Sequence, residues 1–317
     1  MLSSTSTFKA SDGKSLFVYQ WKPDDGGSPA PRLKGLVHIA HGMAEHAGRY
    51  SRLAEALTRA GYVVQANDHR GHGKTADREE DVGFFGSTGG WSRVVRDIAE
   101  LVEAWKREHP ALPVILLGHS MGSFFVQELM FSHPDLADAI VLSGSNGKPS
   151  PLALAGRAVV RVERKRLGDR GKSALLHSLS FEGFNKAFKA PRTRFDWLSR
   201  DEAEVDRYVA DPRCGFVCST ALWMDLLDAL PEINKPENLT KIRKDLPVYV
   251  VAGAEDPVGE RAKGISRLVD AYRRAGLFRV TQRLYEGARH EVFNETNRDV
   301  VTADLIAWLD KNAAALH

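Results

Sequence analysis

The order of apolar and amphipathic segments in this 317-residue chain predicts an α/β fold, a mostly parallel central sheet with helices on both faces and a mainly helical insertion. Three observations carry that expectation. Short apolar runs at 35–40, 63–66, 114–118 and 139–143 alternate with helix-length stretches. The alternation resumes at 247–252 and 279–285. Between them, residues 145–244 contain helical patterns, glycines and prolines, with no clear strand before Val248. Strands separated by helices need crossover connections, and those favour parallel pairing.

Taken in order, residues 8–21 read as two strands joined through Asp12-Gly13, a dipeptide that tolerates positive φ and suits a hairpin. A Pro/Gly-rich linker covers 22–32, and the 35–40 run follows as a buried strand. Helices are expected at about 50–60 and 90–109, after Ser120, and at 259–275 and 298–315. The catalytic core is thus expected at 1–144 and 245–317, with 145–244 inserted as a cap.

Composition excludes several classes. The formal net charge is +3, so nothing in the overall balance argues for nucleic-acid binding. Residues 1–8 lack a basic start and an apolar stretch, and no run of eighteen apolar residues exists, which predicts cytoplasmic residence without a membrane span. Cys214 and Cys218, four apart in a stretch read as helical, are expected as packing residues rather than a disulfide or metal site.

The chemistry centres on Gly118-His119-Ser120-Met121-Gly122, a G-x-S-x-G sequence between an apolar strand and a helical segment. A serine on that turn is strained, exposed and aimed at a helix N-terminus, where partial positive charge favours an oxyanion. Its hydroxyl needs a base, and histidine titrates in the useful range. On such an elbow the nucleophile precedes the acid, and the histidine comes last. That order selects His290, after the 279–285 strand, and leaves Glu255 and Asp256 as adjacent candidates for the acid. Pro257 restricts the residue before it to extended geometry, which favours Asp256. His119 is read as structural support. The oxyanion donors expected are the backbone N–H groups of Met121 and of Met43, in the loop His41-Gly42-Met43, with His41 bracing that loop.

Three segments together, His41 to Tyr50 (HGMAEHAGRY), Asp68 to Gly73 (DHRGHG) and Gly118 to Ser123 (GHSMGS), resemble the monoglyceride lipase and lysophospholipase group of α/β-hydrolases. The resemblance spans 8–144 and 247–317; the cap matches far less clearly. It implies the α/β-hydrolase fold and a carboxylester hydrolase without cofactor, acting on monoacylglycerols or related single-chain lipids. Met43-Ala44 departs from the small residue and glycine common in that loop, which implies a narrower acyl pocket. Glu45, Arg49 and Asp68 are expected to brace one another and the loops. A thioesterase, a peptidase and a non-catalytic ligand receptor are the alternatives on the same scaffold.

One local imbalance stands out within the cap. Residues 147–200 hold thirteen Lys/Arg against Glu163, Asp169, Glu182 and Asp196, interspersed with Leu152, Leu154, Val159, Val160 and Val162. Basic residues among apolar ones suit peripheral contact with an anionic lipid surface.

Overall fold

The computed structural model describes residues 1–24, 32–149 and 151–312, with only the backbone at 151–154. Most of the 22–32 linker, the end of the helix expected to reach 315, and the Leu152 and Leu154 side chains lie outside the described residues.

Eight strands form one sheet: β1 (Leu2–Lys9), β2 (Ser15–Lys22), β3 (Gly35–Ala40), β4 (Tyr62–Asn67), β5 (Val114–His119), β6 (Ala139–Ser143), β7 (Val248–Gly253) and β8 (Val280–Tyr285). Their spatial order is β1-β2-β4-β3-β5-β6-β7-β8. The β1–β2 and β2–β4 pairs are antiparallel; the other pairs are parallel. The first strand begins at Leu2 rather than near Phe8. Its Ser/Thr-rich, exposed start carries no apolar alternation, and it is held by continuous pairing with β2, Leu2 opposite Lys22.

Alternate residues of the central strands enter opposite cores. Val114 and Leu116 join Leu36, Val248 and Val250 on one face, beneath α2 (Gly90–Glu108), α3 (Met121–Ser132) and α10 (Lys263–Arg274). Ile115 and Leu117 join Val37, Val64 and Val251 on the other, beneath α1 (Ser51–Arg59) and α11 (Arg298–Asn312). Burial on both faces explains why these strands read as continuous apolar runs. Helix α10 starts later than expected because Glu260, Arg261 and Ala262 all adopt positive φ.

Between β6 and β7 the chain forms α4 (Pro151–Leu167), α5 (Ala174–His177), α6 (Gly183–Asn185), α7 (Glu202–Ala210), α8 (Thr220–Ile233) and α9 (Pro236–Leu239). Side-chain caps start three of them, with Ser173, Asp201 and Ser219 accepting from early backbone N–H groups. Helix α8 sends Leu222, Leu226 and Ile233 into the core beside α2 and α3, so this insertion shares the main core. The Cys214–Cys218 stretch is not helical as expected. Gly215, at φ 68°, turns the chain there, and its N–H leaves for the carbonyl of Ala44. Both thiols are free, and Cys218 is buried in the core.

Two glycines should respond oppositely to added methyl groups. A Cβ on Gly122 would stand 2.0 Å from Ala40 O, whereas one on Gly156 in α4 meets nothing nearer than Leu227 at 3.7 Å. Gly122→Ala is expected to cost more than about 3 kcal/mol, and Gly156→Ala to be neutral or stabilising by up to about 1 kcal/mol. Denaturant melts of both variants check the contrast.

Candidate active site

Ser120 lies at the C-terminal edge of the sheet, between β5 and α3, with φ 51° and ψ −122°. That conformation costs on the order of 1–3 kcal/mol and needs external support. Ser120 N–H donates to Ser143 O, and Ser123 N–H to Ser120 O, both at 2.9 Å. The flanking glycines allow the approach. A Cβ on Gly118 would stand 2.6 Å from Gly122 O and Ser123 Cα, and one on Gly122 would overlap Ala40 O.

Asp256 follows β7 and is fully buried. Its two carboxylate oxygens each accept from His290 Nδ1–H at 3.0 Å, and Oδ1 also accepts from Val258 N–H at 2.9 Å. A carboxylate only accepts, so the proton sits on Nδ1 and Nε2 keeps its lone pair. Glu255 is about half exposed and faces Arg261 instead.

The His290 ring is held on several sides. His119 and Trp197 lie with ring centroids 4.7 and 4.9 Å away. Gly144, next to the Ser143 carbonyl that holds Ser120, passes so close that a Cβ there would lie 2.9 Å from His290 Cε1. Ser120 Oγ and His290 share no hydrogen bond here, a contact that in serine hydrolases commonly tightens only when substrate binds. Burial opposes a charged His290, yet the charge and hydrogen bonds of Asp256, with Glu291 and Glu45, raise its pKa above the ordinary value. Burial, followed by the neighbouring His290, pushes His119 down to about 4. The two adjacent imidazoles therefore differ, and only His290 is prepared to hold a proton.

In the loop after β3, the peptide groups on either side of Met43 are tied to neighbouring side chains. Gly42 N–H donates to Glu45 Oε1 at 2.6 Å. His69 N–H donates to His41 Nε2 at 3.0 Å, so His41 carries its proton on Nδ1 and donates to Gly42 O at 2.8 Å. Ala44 N–H donates to His72 Nε2 at 3.3 Å, and Ala44 O accepts from Tyr208 and Gly215. Among the described residues, Met43 N–H has no acceptor. In a trans peptide it points opposite to the Gly42 carbonyl that His41 holds. Met121 N–H, the first in α3, has no intrahelical acceptor either. Gly42 adjoins the elbow, since a Cβ there would lie 3.2 Å from Ser120 Cβ.

Buried ions support this loop. Arg49 bridges Glu45 at 2.6 Å and Glu291 twice at 2.7 Å, while Tyr50 OH donates to Glu45 at 2.8 Å. Burial would raise both carboxyls, but Arg49 holds each below its ordinary range. Asp68 pairs with neither Glu45 nor Arg49, but it braces the loop as expected, accepting from Ala47 N–H and Lys74 N–H at 2.8 and 2.7 Å. Arg70, from the same segment, ties α2 to the hairpin turn through Asp97 and Asp12. Sequence reasoning missed Glu291, Trp197 and Tyr208. Glu291 adjoins His290, but nothing local indicates its pairing with Arg49, 242 residues away.

The structure also gathers His46, Asp211 and Cys214, whose donor atoms lie within 4.8 Å of one another. His46 Nε2–H donates to Asp211 at 2.9 Å, and burial raises the Cys214 thiol pKa. The His46–Asp211 pair ties the loop after β3 to the insertion.

Comparison with known proteins identifies the family of the chain. The family model described as Hydrolase_4, serine aminopeptidase S33, matches residues 31–297. A monoacylglycerol lipase of Mycolicibacterium smegmatis is 33% identical over 98% of this chain and 99% of its own. The human monoglyceride lipase is 30% identical over 96% of this chain and 89% of its own. A thermostable carboxyl esterase from Bacillus coagulans, solved with glycerol, superposes with a TM-score of 0.87 at 25% identity, covering 99% of each chain. The chain therefore belongs to the Hydrolase_4 family and is a monoglyceride-lipase-like serine hydrolase of the α/β-hydrolase fold.

Proposed function

We infer that this enzyme hydrolyses monoacylglycerols and related single-chain lipid esters through an acyl-enzyme on Ser120. The observation that carries the reading is the bidentate Asp256–His290 pair beside the strained Ser120 turn. Ser120 Oγ attacks the ester carbonyl as His290 Nε2 takes its proton. The tetrahedral oxyanion lies against the Met43 and Met121 N–H groups, and collapse expels the alcohol, which receives the proton from His290. Water then repeats the sequence on the acyl-enzyme. Asp256 keeps the imidazole in the reactive tautomer and stabilises the imidazolium.

The relatives' names support the lipid ester, and so does the wall of the site. Phe181, Phe184 and Trp197 form an aromatic cluster on the inner side of the insertion, and Trp197 touches His290. An aromatic wall suits an acyl chain better than a charged peptide terminus. The insertion at 145–244 thus serves as the substrate-facing cap.

The cap's outer side suits peripheral contact with an anionic lipid surface. Among the described residues no helix is long and apolar enough to cross a membrane. Arg164 and Arg166 pair with Asp169 and Glu163, and Arg170 with Asp81, which removes much of the cationic excess. Arg161 and Lys165 make no ion pair among the described residues, and they flank Val162, which is 65% exposed.

Ser120→Ala should abolish turnover of a soluble aryl ester while the protein stays folded. Asp256→Asn should lower kcat by about 10³-fold or more, and Glu255→Gln by less than threefold; the reverse ranking would transfer the acid role to Glu255.

The raised His290 pKa sets the acid limb. A base must be neutral, so kcat/KM should fall as pH drops through a midpoint above the ordinary value of about 6.5, rather than near it as an unperturbed histidine would give. A midpoint at or below the ordinary value of about 6.5 would contradict the raised pKa.

Arg161→Glu/Lys165→Glu should weaken binding to phosphatidylglycerol-containing vesicles, and added salt should weaken binding of the parent. Sedimentation with neutral and anionic vesicles reads both effects. Equal binding throughout would leave the basic residues as a solvated face.

A further inference from the structure

The oxyanion loop is held from the core on one side and from the cap on the other. The core side comprises Glu45, His41 and His72, as described above. On the cap side, Tyr208 at the end of α7 donates its hydroxyl to Ala44 O at 2.8 Å. Gly215 N–H donates to the same carbonyl at 2.9 Å and also lies 3.1 Å from the Tyr208 oxygen. Asp211, between them in sequence, accepts from His46 two residues beyond Ala44. Tyr208 itself is buried, with the Arg49 guanidinium 4.8 Å over its ring and Phe195 packed at 4.9 Å.

Ala44 is where such a hold matters. It adopts φ 55°, a conformation a non-glycine residue keeps only when its surroundings enforce it. Its N–H is fixed by His72 and its carbonyl by two cap donors, so the strained residue is restrained at both ends. Met43 lies between this residue and the Gly42 carbonyl held by His41. Relaxation of Ala44 toward negative φ would swing the Met43–Ala44 peptide and disturb the direction of the Met43 N–H.

We propose that Tyr208 is a positioning residue that acts from the cap, clamping Ala44 so that Met43 N–H is aimed at the oxyanion. The seating of the cap therefore sets the rate of acyl transfer, in addition to any role in choosing substrate. This rests on the assignment of Met43 N–H as an oxyanion donor.

The test uses the full-length protein, a soluble p-nitrophenyl ester, and an alkyl trifluoromethyl ketone, which forms a tetrahedral adduct with an active serine. Tyr208→Phe removes one oxygen and keeps the ring. It should lower kcat roughly tenfold, leave KM within about twofold, and weaken inhibition by the ketone by the same factor as kcat/KM. The acid limb of the pH profile should stay in place, because His290 is not touched. Arg192→Gln removes an exposed ion pair with Asp206 elsewhere in the cap and should leave kcat and ketone inhibition at parental values. Parental kcat and inhibition in Tyr208→Phe would overturn the clamp, as would an equal loss in Arg192→Gln, which would indicate general loosening of the cap. If the ketone fails to inhibit the parent, the acyl-transfer assignment itself fails, and the clamp with it.

Discussion

The contact between Gly122 and the carbonyl of Ala40 governs the arrangement of the site. It brings the first turn of α3 onto the end of β3, where a single added carbon would overlap the backbone. Two chain segments far apart in sequence thereby meet at the elbow, Gly42 beside Ser120, and among the described residues the Met43 N–H that follows has no acceptor. Strain at Ser120 and Ala44 belongs to the same solution. Both residues take positive φ, and hydrogen bonds from neighbouring elements restrain both. Donors placed before the reaction need not reorganise as charge develops, which is where electrostatic stabilisation gains its effect.

Charge around the histidine follows from burial and pairing. Arg49 lies between two buried carboxylates, so the group of Glu45, Arg49 and Glu291 carries a net negative charge near His290. With Asp256 on its Nδ1, His290 is biased toward the imidazolium that forms during attack. His41 and His72 work instead as neutral hydrogen-bonding groups. Burial holds His41 and His69 well below their ordinary range and pushes His72 down to about 4. Neutral imidazoles have one donor and one acceptor nitrogen, and His41 and His72 use both, each joining a peptide of the oxyanion loop to one of the 68–73 segment.

Much of this was legible in the chain because it is encoded locally. The parallel strands show as apolar runs since both faces are buried, and the elbow shows as G-x-S-x-G because only glycine fits beside Ala40 and Ser123. Chain order selected His290 and Pro257 favoured Asp256 over Glu255; the structure pairs Asp256 with His290 and turns Glu255 toward Arg261. What remained hidden depends on long-range pairing. β1 is a strand because β2 offers an edge, not because its serines and threonines alternate with apolar residues. Residues 214–218 have helical spacing, yet Gly215 donates its N–H to Ala44 and the helix does not form. The segment Asp68 to Gly73 was recognisable as a motif without revealing its work. Asp68, His69 and His72 scaffold the oxyanion loop, while Arg70 ties α2 to the hairpin.

In the mechanism proposed above, two backbone donors from separate elements converge on the oxygen that becomes charged when Ser120 is acylated. A crystal structure of the protein after reaction with a fluorophosphonate tests it directly, because the phosphonyl oxygen stands where the oxyanion would. The expected result is a covalent bond to Ser120 Oγ, with that oxygen about 2.7–3.1 Å from both Met43 N and Met121 N. An adduct on another residue, or a phosphonyl oxygen turned away from Met43, would contradict it.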